Sequence, residues 1–504
     1  MKRILFLFIT VISVAVTNAQ NITDALRYST EVLNGTARFN AMSGAFGALG
    51  GDVSSLSVNP AASGVMIRSV GSVTFSVVDN RNKATYFGTN TESSYADLNF
   101  NQAGFVFVFN TPNENSKMNK FSLGFNYIAT NNFDNEVFVA GTGNNSVGDF
   151  FVNQANGIPL DLLQLQQGET NSSLYQYLGE TEGVSAQNAF LAYQGFIINP
   201  TENDPNNTQY YSTIADGNFN QTYNQSTSGY SGKYTFNMAA QLNHKISFGV
   251  NLNSNFFNYI QYTYLQESNS NNGSLVNYVG FENNLSSYGR GFSAQFGVIA
   301  KVSDAIRLGF TYDTPIWYNI YDETYQTLET ERTINKETIY EYINPQIINV
   351  FYKYELRTPW KIAASAAYIF GKQGLLSFDY SYKDYSFTRF SPSNDPAFSS
   401  ENNNINNNLK GASSIKVGGE YKFNILSLRA GYLYEESPYK DKTTIGDLNG
   451  FSGGFGFYFG HYSVDMSYSR FEQKGQFNMY GLTATASLKN VRNNYTMTIV
   501  YEMN

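Results

Sequence analysis

Few residues of this chain are equipped for covalent or metal chemistry. It contains two histidines, His244 and His461, and no cysteine. Each histidine lies in a short polar stretch between alternating apolar segments, so the two are expected in separate tight turns. That separation argues against a Ser–His nucleophile and against a paired-histidine metal site. No phosphate loop or dinucleotide fingerprint occurs, and a net charge of -8 argues against nucleic acid. No catalytic residue, metal ligand or cofactor is therefore assigned. The remaining candidates are the cations Arg307, Lys416 and Arg429, each on the small, polar face of an alternating segment. Asp313, Asp379, Glu420 and Asp465 share that kind of face. Such cations suit ion pairs with these carboxylates or contact with the carboxylate of a ligand. A last group is acidic: Asp134, Glu136, Asp149, Asp161, Glu169, Glu180, Glu182, Glu202, Asp204 and Asp216, with no Lys or Arg between residues 131 and 229. That run suits divalent cations or a solvated surface.

The elements that position these residues are strands. In "FSAQFGVIAKV", Phe292, Phe296, Val298 and Val302 share one face with Ala294 and Ala300, while Ser293, Gln295 and Lys301 take the other. "YSVDMSYS" and "NYTMTIVYEM" repeat the pattern near the C-terminus. A fully apolar face opposite one of Ser, Gly, Asn and Thr marks a strand between lipid and a polar lumen. A sandwich would carry more Lys and Glu on its polar face. Composition agrees: 39 Tyr, 40 Phe, 42 Gly and 14% charged residues accompany a mean hydropathy of -0.32. The opening "MKRILFLFITVISVAVTNAQ" has the form of a secretory signal peptide, residues 1–19, cleaved between Ala19 and Gln20. No later segment is apolar enough for a membrane helix. The profile is that of an all-β outer-membrane protein, a transmembrane antiparallel β-barrel; a secreted adhesin or carbohydrate-binding protein is the competing reading. Short turns at Asn243–Lys245, Ser303–Asp304, Gly371–Gly374, Lys422–Asn424 and Gly460–His461 and a longer one at Thr111–Lys117 alternate with long polar loops. Those loops are expected near 79–97, 131–229, 269–286, 329–349, 391–408, 437–448 and 474–492, the largest being 131–229. With a first strand near residue 70, the count is about fourteen strands over 70–504. Within the largest loop, helices are expected after Pro159 and from an N-cap at Ser185.

Residues 20–69 precede the first strand on the periplasmic side. They are rich in small residues, with a short helix expected from Asp24, and are the right size to fold inside the barrel as a plug. Within them, "GTARFNAMSGAFGALGGDVSSLSVNPAASG", Gly35 to Gly64, resembles the N-terminal hatch of the FadL family of outer-membrane long-chain fatty-acid transporters, especially its Bacteroidetes branch. The signature tripeptide stands here as Asn59-Pro60-Ala61, followed by Ala62 where the family often has Gly. The resemblance implies a monomeric fourteen-stranded barrel closed by a hatch and passive uptake of a hydrophobic or amphipathic small molecule. It also implies capture of that ligand among the outer loops, a pocket beside the hatch, and lateral exit at a kink in the third strand. That strand corresponds to "KFSLGFNYIAT", Lys120 to Thr130, with Gly124 as the candidate kink. Ligand contacts are expected at Arg307, Lys416 or Arg429, with membrane lipid and lipopolysaccharide around the barrel. The alternative is a barrel subunit that binds protein partners, an accessory or carrier related to type IX secretion.

Overall fold

Period-two alternation produces strands that pair around a closed ring. The computed structural model describes residues 21–111, 116–335 and 337–503; the expected signal peptide lies outside the described residues. The barrel is a closed, 14-strand antiparallel sheet. Its strands are β1 (Val70–Tyr86), β2 (Thr89–Asn110), β3 (Met118–Asn132, prolonged by Asn135–Gly143), β4 (Phe219–Leu242), β5 (Ile246–Ser268), β6 (Val276–Lys301) and β7 (Ile306–Asp313, continued by Trp317–Ile334). They are followed by β8 (Tyr354–Arg357, then Lys361–Phe370), β9 (Gly374–Asp384, then Arg389–Ser391), β10 (Gly411–Phe423), β11 (Leu426–Glu435), β12 (Ile445–Tyr458), β13 (Tyr462–Asn478) and β14 (Thr485–Glu502). Closure comes from β1 against β14, in unbroken register from Val70↔Glu502 to Thr85↔Ser487.

The burial pattern is inverted relative to a soluble protein. Phe310 on the outer face is 50% exposed, whereas Asn251 on the inner face is 0% exposed. The inner amides satisfy one another across strands: Asn237 Nδ2 donates to Asn251 Oδ1 at 2.7 Å, and Asn251 Nδ2 to Gln295 Oε1 at 2.7 Å. Such polar groups are stable away from bulk water only because they are paired.

Above the membrane the strands run further than expected. Residues 79–97 form the upper parts of β1 and β2 around a tight turn at Phe87-Gly88, and residues 337–343 pair back onto β7. Outside the bilayer a strand needs no continuous apolar face, so its sequence reads as loop. The 131–229 region is likewise bounded by strand, since β3 extends to Gly143 and β4 starts at Phe219. Between them lie α4 (Val147–Ala155), α5 (Asn171–Thr181) and α6 (Val184–Gln194). Only one 3-10 turn, Leu160–Leu162, follows Pro159, and Gly183 rather than Ser185 caps α6. Phe151, Leu160, Tyr175 and Phe190 bury against Tyr223, Phe281 and Leu328 of the upper wall, so this cap is an apolar core of its own.

Residues 21–66 lie inside the barrel. This inner segment contains α1 (Ile22–Arg27), α2 (Ala37–Ala41), a 3-10 turn (Val53–Ser57) and α3 (Ala62–Val65). Asn21 and Asp24 form a capping box on α1. Tyr28 stacks on Phe257 at 3.9 Å, and the Ile22 amide donates to Glu401 of α7 (Pro396–Asn408) at 2.6 Å. Lower down, the wall makes room for backbone. A Cβ on Gly309 would come within 2.2 Å of the Gly47 carbonyl, one on Gly297 within 2.1 Å of Asn59 Oδ1, and one on Gly249 within 2.3 Å of Pro60. Three wall glycines thus form the seat of the inner segment. Filling it should dislodge the segment rather than the barrel, since overpacking of this kind costs about 1–3 kcal/mol. Gly297→Val is expected to keep the heat-modifiable gel mobility of a folded barrel while residues 40–66 become cleavable by protease; the two readouts together check it.

Candidate functional site

The Asn-Pro-Ala tripeptide sits at the bottom of the lumen, between the inner segment and β6. Asn59 is fully buried: its Nδ2 donates to the Gly47 carbonyl at 2.6 Å and to the Val298 carbonyl at 3.2 Å, and its Oδ1 accepts from the Ala61 amide at 3.0 Å. One side chain therefore ties two turns of the inner segment to the wall, and Pro60 fixes the backbone between them. Ser63 donates to Asn237 on β4 at 2.5 Å, which carries the attachment two strands further along the wall.

Gly124 lies in a part of β3 that pairs without interruption, opposite Val106 on β2 and Asn237 on β4. A Cβ there would meet Leu56 of the inner segment at 2.8 Å. The ladder between β3 and β4 shifts register instead near the ends of the strand, between Met118 and Lys120 and between Ala129 and Asn131. At the upper shift the inner segment takes over as a hydrogen-bond partner. The Val32 amide donates to the Thr130 carbonyl at 2.9 Å, and Asn34 Nδ2 to the Ala129 carbonyl at 3.0 Å.

The three candidate cations have different fates. Arg429 is committed to the wall: its Nε donates to Glu420 at 2.6 Å and its Nη1 to Asp465. Glu420 also accepts from Arg38 of α2 at 2.7 Å, so one carboxylate joins the inner segment to β10 and β11. Removing one partner of such a buried network strands the others, at a cost of about 3–5 kcal/mol. Arg307 donates to the Leu49 carbonyl at 2.8 Å, another attachment of the inner segment. Lys416 instead faces a cavity of about 140 Å³ between the inner segment, β3, β4 and β8–β11.

That cavity has two unlike sides. Leu33, Phe39, Val58 and Ile128 supply apolar surface, and Lys233, Lys361, Lys383 and Lys416 bring ammonium groups to it. A smaller space of about 40 Å³ adjoins it, sharing Lys233, Lys361, Lys383 and Glu31. Lys361 pairs with Asp313 at 2.7 Å, and Lys383 donates to the Ser29 carbonyl. Glu31 lies 3.4 Å from Lys233. Its side chain is 37% exposed. Burial pushes the Glu31 carboxyl up, but Lys233, Lys361 and Lys383 together outweigh this and hold it at about 2. Glu435 and Glu436 line the same cavity. Of these residues only Lys416 and Asp313 were expected from the sequence to face the lumen. Lys233 was legible from the flanking outward Tyr234, Phe236 and Met238, and Lys383 from Asp379 four residues before it.

The other sequence candidates stay apart. His244 and His461 occupy the β4–β5 and β12–β13 turns. Among the described residues, no three His, Cys, Asp or Glu side chains, the acidic loop included, come together as a metal site.

A closed barrel with an apolar outer belt, a polar lumen and a segment of its own chain folded within it is the build of an outer-membrane channel. Residues 230–499, over half of the chain, match the outer membrane protein transport protein family (OMPP1/FadL/TodX). The chain belongs to that family, whose members are transport channels for hydrophobic compounds in the outer membrane and not enzymes. A FadL homologue from Pseudomonas aeruginosa aligns over 94% of this chain and 100% of its own, with a TM-score of 0.55 at 13% identity. The monoaromatic hydrocarbon channel CymD aligns over 94% and 99%, with a TM-score of 0.50 at 12% identity. At these identities the likeness is one of fold. No curated protein matches the chain.

The Glu31 contact has a defined pH window. A carboxyl held below its ordinary value adds stability that is present above about 4.5 and disappears as pH falls through about 2. Protection of residues 28–34 from hydrogen exchange should therefore weaken between pH 4.5 and 2 in the native protein. Glu31→Gln should remove that acid dependence; an unchanged profile in the variant would refute the assignment.

Proposed function

We propose that this channel takes up long-chain fatty acids and related amphipathic carboxylates by passive diffusion, working as a monomer exported by its signal peptide. The lysine cavity carries this reading. Four lysines, facing Glu31, Glu435 and Glu436 and with Lys361 paired to Asp313, meet an apolar flank beside the inner segment, and a carboxylate with an alkyl chain has a matching charged end and apolar end. A hydrocarbon offers no charge to replace Glu31 among these lysines, so the cavity favours an acid over its uncharged analogue.

In this reading residues 20–69 act as the hatch. Ligand collects on the outer cap, whose helices and α7 stand above the inner segment, and passes down to the cavity. About 140 Å³ corresponds to roughly five water volumes. That is room for a head group and not for a long chain, so the tail requires displacement of neighbouring inner-segment residues. Glu31 already presents a carboxylate to Lys233. An incoming acid replaces it and releases residues 31–34 from β3. The exit then lies at the Ala129/Asn131 register shift, where the wall borrows hydrogen bonds from the hatch, rather than at Gly124.

A charge-assisted hydrogen bond is worth about 1.5–3 kcal/mol. Replacing Lys361 and Lys383 with Ala should therefore weaken binding of a C16 carboxylate at least ~10-fold, with little change for the C16 alcohol. Equal losses for acid and alcohol, or none for either, would remove the carboxylate from the reading. Fluorescence titration of the purified protein with both ligands makes the comparison.

A further inference from the structure

Outside the lumen, a second basic site faces the membrane. In the upper piece of β8, Tyr354 and Leu356 are buried, so Glu355 and Arg357 point outward. In the upper piece of β9, Phe390 is buried and Arg389 points outward. The register places Arg357 directly opposite Arg389. Like charges directly across a strand pair repel, and among the described residues neither guanidinium belongs to an ion pair. Arg389 is held rather than free, because its Nη1 donates to the Ser386 and Thr388 carbonyls at 2.6 and 2.7 Å.

The height of this pair is set by its neighbour. Arg357 is registered with Trp317, and Trp317 with Phe292, both rings on the outer face. At ~3.3 Å per residue and a tilt of about 40°, the climb from Ile306 beside the periplasmic turn to Trp317 is ~27 Å. That matches the ~25 Å apolar band of such barrels, and an outward Trp marks its upper edge. The two arginines therefore stand at headgroup level in the outer leaflet. Beside them is a cavity of about 360 Å³ that Trp317, Ser391, Ser393 and Asn402 also line. Glu355 is the one carboxylate in it, against two guanidinium groups.

We infer that Arg357 and Arg389 bind the phosphate of an outer-leaflet lipid headgroup at the rim of the barrel. A phosphate bridging the two planar guanidinium groups cancels their repulsion and accepts bidentate hydrogen bonds from each. The serine hydroxyls beside them add neutral donors, and Trp317 covers the first carbons of the acyl region. The site lies outside the lumen and does not depend on which ligand the channel carries.

Native mass spectrometry of the full-length protein in mild detergent tests this, using bisphosphorylated lipid A and the same glycolipid without phosphates as probes. Wild-type protein should retain the phosphorylated lipid and not the dephosphorylated one. Arg357→Gln/Arg389→Gln should hold it at least tenfold more weakly, while Arg357→Lys/Arg389→Lys keeps part of the binding. Equal retention of both glycolipids by wild-type protein would overturn the proposal without reference to any variant. So would undiminished binding by a folded glutamine variant, or binding of inorganic phosphate as tight as that of the lipid.

Discussion

A backbone amide or carbonyl facing hydrocarbon has no water to bond with, and leaving it unpaired costs several kcal/mol. Within the barrel the strands therefore close on one another, with β1 sealing against β14 from Val70 to Thr85. Closure of fourteen strands has a consequence for the rest of the molecule. It encloses a space that the inner faces of the strands do not fill, and whatever fills it must bring partners for the polar groups that line it.

The inner segment meets that demand with backbone more than with side chains. Wall glycines at 249 and 309 let its carbonyls approach closely, the one at 297 makes room for the Asn59 side chain, and Asn59, Ser63 and the Gly47 amide bond to the wall around them. Charge is divided in the same spirit. Glu420 is shared between Arg38 and Arg429, with Lys422 further off at 3.8 Å, and Asp465 completes that fixed set. The cavity at Lys233, Lys361, Lys383 and Lys416 is different in kind, since Glu31, its partner from the inner segment, is partly exposed and sits at the long distance of 3.4 Å. The firm attachments and this looser one belong to the same segment.

The barrel was legible because the bilayer imposes period two on every strand within it; Phe292 to Val302 alone shows both faces. Above the bilayer that rule lapses, so the upper halves of β1 and β2 read as a loop although they form a regular ladder. The cap helices were legible only in part. α6 was expected two residues late, α4 spans only nine residues, and α5 sets its buried Leu174, Tyr175 and Leu178 among polar residues. The inward direction of Arg307, Lys416 and Arg429 followed from alternation, but their partners did not. Which cation meets a carbonyl, a carboxylate or a cavity depends on the path of the inner segment, and small residues such as those of Gly47–Gly64 carry no period from which to read one. Gly124 shows the same limit: its lack of a side chain was plain, whereas the neighbour that uses the space, Leu56, was not.

In the proposed uptake a ligand carboxylate competes with Glu31 for the lysines and so frees residues 31–34 from β3. The most direct measurement is hydrogen–deuterium exchange at the Val32 amide, which donates to the Thr130 carbonyl at 2.9 Å, in the full chain with and without saturating C16 carboxylate. Exchange across residues 31–34 is expected to be faster with the acid and unchanged with the C16 alcohol. Exchange that stays unchanged, or slows, while the acid is bound would contradict the proposed uptake.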